Sequence, residues 1–389
     1  MPNMKLIKKV DLVSLELTNM CNLNCSFCAN SLMTREKGSM DVELAKRLIK
    51  EVKDTNFCNE IVTNVMGEPL LYKELFTLLK YANMLGQRVS VLTNGETLDE
   101  SVSAKLFQFP PSAINISYHA HNDTSYNYKG SRLTYGQYKN RILNLIEFKF
   151  KLKVKTNINV SILSTINKPH DKFKILDNLK DIDLFRNEWI TFAKFIRKKY
   201  KIFWQIPETI YPGANVLLPG FAVSFYLTYH LWSGSILPSK TKVIPCLKFF
   251  CPTPFNQFNV LWNGDLTLCC IDYNGDLVYD NIKNKSIIEA FNSANIKRIR
   301  RNFSEGKGIH QKCLYCCGKI VNSDGSQYTA QSLVYKLSLF DNLKRDYFVL
   351  CRLLWEGNIF KFFYRGFILR SKIGEWFQKK YWANLSAPI

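Results

Sequence analysis

Short apolar segments alternate with longer amphipathic ones from residue 11 to about residue 207. The short segments have the two-residue period of strands, and the longer ones, such as residues 42–52, have helical spacing. Strands are predicted at residues 12–18, 60–65, 88–92, 113–118, 152–162 and 201–206. This alternation predicts an α/β fold in which six β/α units form an incomplete, TIM-like barrel.

The pattern changes after residue 207. Residues 209–239 contain no Asp, Glu, Lys or Arg, and the apolar run at 214–232 is interrupted by Pro219 and Gly220. These interruptions favour a buried connection over a membrane-spanning helix. We therefore expect a barrel over residues 11–207, an uncharged apolar connection over 208–245, a small cysteine-rich domain over 246–320 and a helical tail over 333–389.

Composition excludes some classes of protein. The 389 residues are 47% hydrophobic and 22% charged, so the chain can bury a core and is not disordered. A net charge of +21 attracts anionic partners without choosing among nucleic acid, phosphorylated small molecules and acidic membranes. The first ten residues lack the apolar region of a signal peptide, and most of the twelve cysteines are clustered. We expect a reducing cytoplasm that leaves thiols available for metal.

Three cysteines follow the first predicted strand at CxxxCxxC spacing, at Cys21, Cys25 and Cys28. Thiolates are soft ligands suited to iron–sulfur clusters, and three of them leave one iron of a four-iron cluster open to another ligand. A zinc site or three buried thiols would be the alternatives, but zinc sites normally collect four ligands.

This spacing, with Phe27 before the third cysteine, resembles the hallmark of the radical S-adenosylmethionine (radical SAM) superfamily. The resemblance implies a [4Fe–4S] cluster on the three cysteines, whose open iron binds S-adenosylmethionine. It also implies reductive cleavage of S-adenosylmethionine to a 5′-deoxyadenosyl radical that abstracts hydrogen from a substrate. An electron donor such as a flavodoxin or ferredoxin would supply the electron.

Further residues at predicted strand ends match positions of this family. The stretch from Met66 to Pro69 resembles the family's GGEP motif, with Met66 in place of the first glycine, and Thr93-Asn94-Gly95 resembles its TNG turn. By resemblance, the cofactor-binding residues are Gly67, Glu68, Asn94, Ser117 and Asn159. Without the family, these are ordinary turn and strand-end residues.

Polar and aromatic side chains after the fourth strand are candidates to meet the substrate. They are His119, His121 and Tyr126. A histidine near a barrel mouth titrates near neutral pH, although a structural histidine is the commoner case.

A second cysteine group resembles the SPASM-type extension of the same superfamily. Cys251, Gly264 and Cys269 give a C(x9–15)GxxxxC element, and a CxxC follows at Cys313 and Cys316. We predict one auxiliary [4Fe–4S] cluster on Cys251, Cys269, Cys313 and Cys316, with Cys246, Cys270 and Cys317 as neighbouring thiols that could substitute. Zinc is the main alternative at this site. Cys58 and Cys351 are expected to be buried thiols.

An all-cysteine cluster near a substrate radical could accept its electron. The favoured function is therefore radical oxidation or rearrangement of a small-molecule or glycan-like carbohydrate substrate, with lipid-linked sugars among the candidates. A peptide maturase is a second reading, disfavoured because only ten residues precede the first strand. A non-catalytic zinc-binding scaffold is a reading of another class.

The end of the chain is basic and aromatic. Residues 347–389 contain seven basic, two acidic and twelve aromatic residues. This segment could rest on the cytoplasmic face of a membrane, although packing on the barrel is favoured. Nucleic acid is disfavoured because no groove-reading motif accompanies the charge.

Overall fold

The computed structural model describes residues 6–227, 229, 232, 235–246, 251–307, 309–321, 325 and 327–329. The predicted tail over 333–389, and Cys351 within it, lie outside these described residues. The strands within the described part are β1 Leu12–Leu15, β2 Glu60–Thr63, β3 Arg88–Thr93, β4 Ala113–Ser117, β5 Asn157–Leu163, β6 Gly213–Leu218, β7 Phe221–Tyr226, β8 Lys242–Ile244, β9 Gln257–Val260, β10 Asp265–Thr267, β11 Val278–Asn281, β12 Lys319–Val321 and β13 Gln327–Thr329.

Ten α-helices accompany these strands in the described residues. They are α1 Val42–Asp54, α2 Leu75–Leu85, α3 Glu100–Gln108, α4 Asp123–Asn127, α5 Tyr135–Leu152, α6 Leu179–Lys199, α7 Thr253–Asn256, α8 Ile287–Phe291, α9 Ala294–Ser304 and α10 Gln311–Cys316. Side-chain caps fix where the long helices begin, because each satisfies a backbone N–H of the first turn. The cap oxygens of Asp41, Asp99, Thr134 and Asn178 accept from the backbone three residues on.

A ten-stranded sheet organises the molecule in the order β11-β10-β9-β1-β2-β3-β4-β5-β7-β6. Strands β1 to β5 and β7 run parallel, each to its neighbour in that order. Inward-facing apolar residues on these strands, such as Val13, Ile61, Val91 and Ile114, are completely buried. The predicted α/β class with a large parallel sheet is confirmed, and the first five strands overlap the predicted segments, although the fifth begins at Asn157 because α5 extends to Leu152.

The sixth parallel strand does not lie where the sequence pattern predicts. Residues 202–207 form no strand; β7 instead pairs with β5, with Phe221 beside Ile158. Strand β6 pairs antiparallel with β7 across the turn at Pro219 and Gly220. The stretch expected to be an apolar connection over 208–245 therefore contains the last barrel strand and its hairpin partner. The absence of charged residues over 209–239 is consistent with burial, since Leu217 and the alternate residues of β7 are buried.

The cysteine-rich region continues the same sheet on the opposite side of β1. Strand β9 runs parallel to β1, and the hairpin of β9 and β10 turns at Asn263 and Gly264, as the sequence predicts. Gly264 has φ of +88°, and a Cβ there would lie 3.2 Å from Lys283 Cγ. A small sheet of β13, β12 and β8 lies beside the later cysteines. In the part of the chain described, no helix combines the length and apolarity needed to cross a bilayer.

Candidate functional site

The loop that follows β1 carries the CxxxCxxC cysteines and is held by the segment after α4. The backbone N–H of Asn24 donates to Lys129 O at 3.2 Å, and that of Ser26 donates to Tyr128 O at 2.8 Å. Within the loop, the Cys28 N–H donates to Cys25 O at 3.0 Å. The loop is therefore attached to a segment more than a hundred residues away, which fixes where its thiols point.

The three cysteines are half-buried and lie close enough for their charges to affect one another. Burial, with a smaller contribution from neighbouring thiols, raises the pKa of Cys25 to about 12 and that of Cys28 to about 11. Burial also raises the pKa of Cys21. Such thiols lose their protons readily only when a metal supplies compensating positive charge. A trio of soft donors in one loop fits an iron–sulfur cluster with one open iron.

In the described residues, no three Cys, His, Asp or Glu side chains are close enough to hold a single metal ion. A four-iron cluster is wider than one ion, so its thiols are set further apart than the ligands of a single metal.

A second loop, after β2, lies against the cluster loop. Gly67 has φ of +83°, and a Cβ there would stand 2.2 Å from Thr18 O, so only glycine permits this approach. The next residue, Glu68, donates its N–H to Met20 O at 2.8 Å. The Gly-Glu-Pro sequence therefore places its carboxylate directly beside the start of the cluster loop.

Glu68 is a buried carboxylate with three donors. Its oxygens accept from Thr93 Oγ1 at 2.7 Å, from the Asn94 N–H at 2.7 Å and from the Leu70 N–H at 3.1 Å. Burial raises the pKa of Glu68, while the donors act in the opposite direction. The carboxylate thus joins the loop after β2 to the Thr-Asn-Gly turn after β3.

Asn94 connects that turn to the cluster loop. Its Nδ2 lies 3.7 Å from Cys21 Sγ and donates to Asn22 Oδ1 at 2.9 Å. Gly95 follows with φ of +79°, which a turn of this kind requires. The structure therefore brings together Gly67, Glu68 and Asn94 around Cys21.

The other two predicted cofactor residues lie further along the sheet. Ser117 is half-buried at the carboxyl end of β4. Asn159 on β5 accepts from Ser224 Oγ at 2.8 Å and donates to Ser161 Oγ at 3.2 Å. Asn159 thus belongs to a polar network across β5 and β7.

The three candidate catalytic side chains have partners within the protein. His119 Nδ1 accepts from the Leu163 N–H at 3.3 Å, and burial lowers its pKa to about 3. His121 Nε2 lies 3.2 Å from Asp181 Oδ2. Tyr126 OH donates to Glu96 Oε2 at 2.5 Å, and burial raises its pKa. These contacts suit structural roles, so we assign no chemical step to these residues.

Lys129 is a central residue of the site that sequence reasoning missed. Its buried ammonium lies 3.1 Å from Asn94 O, 3.1 Å from Ser117 O and 3.2 Å from Tyr118 O. It also lies 3.0 Å from the hydroxyl of Tyr138, and burial lowers the pKa of Lys129 to about 8. The Lys129 side chain therefore links the turns after β3 and β4, and the Lys129 backbone carbonyl accepts a hydrogen bond from the cluster loop.

The second cysteine group lines a single pocket. The residues around it include Cys251, Cys269, Cys313, Cys316 and Cys317. Burial raises the pKa of Cys251 and raises that of Cys313 to about 12, with the neighbouring thiols adding to both. The four predicted auxiliary ligands are thus brought together, with Cys317 beside them. Four thiols around one pocket fit a second cluster without an open iron.

Asp272 gives the auxiliary loop its shape. Its carboxylate accepts from Thr267 Oγ1 at 2.6 Å, from the Leu277 N–H at 2.9 Å and from the Asp276 N–H at 3.0 Å. Asp272 is buried and ends the sequence Cys269-Cys270-Ile271-Asp272, so its hydrogen bonds fix the turn that follows these two cysteines. Cys58, predicted as a plain buried thiol, is buried next to β2.

Comparison with known proteins gives two family matches. Residues 15–168 match the radical SAM superfamily, and residues 251–317 match the SPASM iron–sulfur cluster-binding domain. A 2-deoxy-scyllo-inosamine dehydrogenase of Niallia circulans, dependent on S-adenosyl-L-methionine, is 30% identical over 116 residues, which are 29% of this chain and 46% of the relative.

A second relative is an S-adenosylmethionine-dependent nucleotide dehydratase of Lacinutrix mariniflava. It is 33% identical over 100 residues, which are 24% of this chain and 21% of the relative. The chain thus spans less than half the length of either protein. Among solved structures, Streptococcus suis SuiB bound to S-adenosylmethionine is 17% identical, with a TM-score of 0.47, covering 75% of this chain and 68% of that one.

Proposed function

The chain belongs to the radical SAM superfamily and carries a SPASM domain, and from this premise we propose that it oxidises or rearranges a carbohydrate-like small molecule. It is an enzyme that uses a [4Fe–4S] cluster with S-adenosylmethionine, together with auxiliary iron–sulfur chemistry. One observation carries the proposal. The chain has two separate groups of cysteine thiols, the first with three predicted cluster ligands and the second with four.

Cys21, Cys25 and Cys28 would hold the first cluster. When bound there with S-adenosylmethionine, the cluster supplies a strongly reducing electron and a carbon-centred radical able to remove hydrogen from unactivated carbon. The chain's part is to position these groups and to exclude water. On the cysteine side, the backbone bonds of the loop to Tyr128 and Lys129 hold the thiols in position.

The residues around Cys21 are the proposed binding site for S-adenosylmethionine. Glu68 offers a buried carboxylate, which suits an ammonium group, and its three donors hold it in one orientation. Asn94 offers an amide beside the same thiol. We assign Gly67, Ser117 and Asn159 to the same site by resemblance, with Gly67 required by the close backbone approach.

One auxiliary cluster is proposed for Cys251, Cys269, Cys313 and Cys316 in the domain over 246–320. Its role would be to take up the electron that remains when a substrate radical is oxidised. The two relatives named above act on an aminocyclitol and on a nucleotide, which supports a polar, hydroxyl-bearing substrate. A flavodoxin or ferredoxin is the proposed electron donor.

Anaerobic purification with iron, sulfide and zinc analysis tests this proposal. The wild-type protein is expected to hold about eight irons, falling to about four in a variant with Cys21, Cys25 and Cys28 changed to alanine. Only the wild type should form 5′-deoxyadenosine after reduction. Cys58→Ala, which alters a buried thiol outside both groups, is the matched control and should keep both properties. Zinc in place of iron would favour the scaffold reading.

Substrate class needs a separate measurement. Candidate aminocyclitols, nucleotide sugars and small peptides, each deuterated at carbon, are incubated with the reduced enzyme and S-adenosylmethionine. Deuterium in 5′-deoxyadenosine with a carbohydrate alone supports the proposal. Deuterium transfer from peptides alone would instead identify a peptide maturase.

A further inference from the structure

The end of α6 and the turn after it form a basic, aromatic surface that the proposed chemistry does not use. Residues 189–207 contain five basic side chains and no Asp or Glu. Four of the five cations lie at residues 194, 197, 198 and 201, and all four are exposed. We call residues 194–204 the α6 turn.

Backbone contacts give the α6 turn a defined shape. Lys201 has φ of +50°, a left-handed conformation that ends the helix, and the Ile202 N–H donates back to Arg197 O at 3.0 Å. The Arg197 guanidinium then donates to Trp204 O at 3.3 Å. The residues that follow the helix are therefore folded back onto its last turn.

This shape presents large apolar side chains to solvent. Phe203 is fully exposed, at 104% of its reference area, and Phe195 and Trp204 are 50% and 38% exposed. Exposed aromatic side chains of this size contact water unfavourably, and a group of them beside cations is typical of an interaction surface.

We propose that the α6 turn binds the anionic surface of a phospholipid bilayer. Trp and Phe side chains favour the boundary between headgroups and acyl chains, and exposed lysines and arginines are attracted to acidic headgroups. Charge complementarity favours this partner. The turn carries cations around its exposed aromatic residues, and the sequence has no Asp or Glu between residues 189 and 207. One carboxylate from another helix contacts the turn: Glu147 pairs with Lys199 at 2.5 Å and accepts from the Tyr200 hydroxyl at 3.1 Å.

Other occupants fit the same surface less well. A second copy of the chain would bring like charges together, since the net charge is +21. Single-stranded nucleic acid is bound in grooves where aromatic side chains stack on successive bases. Phe203 instead projects from the end of a turn, which suits insertion between lipid headgroups.

The test is co-sedimentation of the anaerobically purified holoprotein with vesicles. One set contains phosphatidylcholine alone, and the other also contains about 30% phosphatidylglycerol, at physiological salt. The wild type is expected to sediment with the anionic vesicles. Phe203→Ser with Trp204→Ser should weaken this binding about tenfold, and Lys194→Gln with Lys198→Gln should weaken it by a similar factor and remove the preference for anionic lipid.

Matched variants separate the α6 turn from general effects. Leu179→Ser with Leu184→Ser removes two exposed apolar residues, 71% and 59% exposed, from the other end of α6. Lys73→Gln with Lys80→Gln removes two exposed cations elsewhere. Both controls should bind as the wild type does. The readout does not involve 5′-deoxyadenosine, so its failure is distinct from failure of the proposed chemistry.

Three results would overturn the proposal. The first is the absence of wild-type binding to anionic vesicles. The second is undiminished binding by the Phe203 and Trp204 variant, which would place the lipid contact on another segment. The third is binding of single-stranded RNA that competes with vesicles and requires Phe203, which would assign the α6 turn to nucleic acid.

Discussion

Arg35 donates hydrogen bonds from both of its terminal amino groups to the carboxylate of Glu16, which is completely buried at the end of β1. The same carboxylate accepts from the Met66 N–H at 3.1 Å and from the Trp262 N–H at 3.2 Å. Arg35 also donates to Tyr273 O at 2.8 Å. One ion pair therefore joins the cluster loop, the loop after β2 and the hairpin of the cysteine-rich region.

Glu16→Gln should destabilise the protein by about 3 kcal/mol, because it leaves the mostly buried Arg35 charge without its partner. The measurement is anaerobic urea unfolding of the holoprotein. Glu43→Gln is the matched control; its partner Lys46 lies on the surface of α1, and the change should cost less than about 0.5 kcal/mol. Similar losses in the two variants would show that the buried pair has no special role.

Lys129→Met should raise the dissociation constant for S-adenosylmethionine by at least about tenfold, since the carbonyls of Asn94 and Ser117 lose a shared charged donor. Equilibrium dialysis with labelled S-adenosylmethionine measures this constant. The control is Lys149→Met, another buried lysine, whose ammonium donates to Val154 O at 3.1 Å, near the start of β5. Equal constants for the two variants would contradict a positioning role for Lys129.

The sequence predicted the first five strands and the placement of motifs at their ends because those strands alternate visibly between apolar and polar residues. It misplaced the sixth because β7 lies in the uncharged stretch over 209–239, which the sequence pattern assigned to a buried connection, and the strand was predicted at the short segment 201–206 instead. In the structure, β7 and not the segment 201–206 forms the hydrogen bonds to β5, and the local sequence pattern does not reveal this pairing.

Some residues of the candidate site could likewise be identified from the sequence, and others could not. Cysteine spacing and short turn motifs are local, so Cys21, Glu68 and Asn94 were identified from sequence and lie together. Glu16 and Lys129 act through contacts with residues distant in the chain. Buried Glu and Lys are also uncommon, so nothing in a single sequence distinguishes them from surface charges.

Cys269→Ser and Cys313→Ser should each reduce the iron content by up to about four atoms per chain, because their thiols line the auxiliary pocket. Cys270→Ser should retain the full content, since Cys270 is adjacent in sequence but does not line that pocket. Iron and sulfide analysis of anaerobically purified variants gives the answer. Loss of iron from Cys270→Ser, with full retention by Cys269→Ser, would show that Cys270 is the cluster ligand in place of Cys269.

His119 predicts a pH dependence of folding stability. Its folded-state pKa, about 3, lies below the ordinary value of 6.5, so between these values the unfolded chain binds the extra proton. Stability from this residue is therefore complete above about pH 6.5 and declines as the pH falls below it. From pH 7.5 to 5.5 the decline should be about 1 kcal/mol for this half-buried ring.

His119→Asn removes the titrating group while keeping a residue that tolerates the local φ of +39°. The variant should lose about 1 kcal/mol less than the wild type when urea unfolding of the two holoproteins is compared at pH 7.5 and 5.5. His121 and His170 are present in both proteins, so their contributions cancel in the comparison. An equal loss of stability in the two proteins on acidification would contradict this prediction. It would mean that His119 is protonated as easily in the folded protein as in the unfolded chain, so that its position beside Phe27 does not disfavour the charged ring.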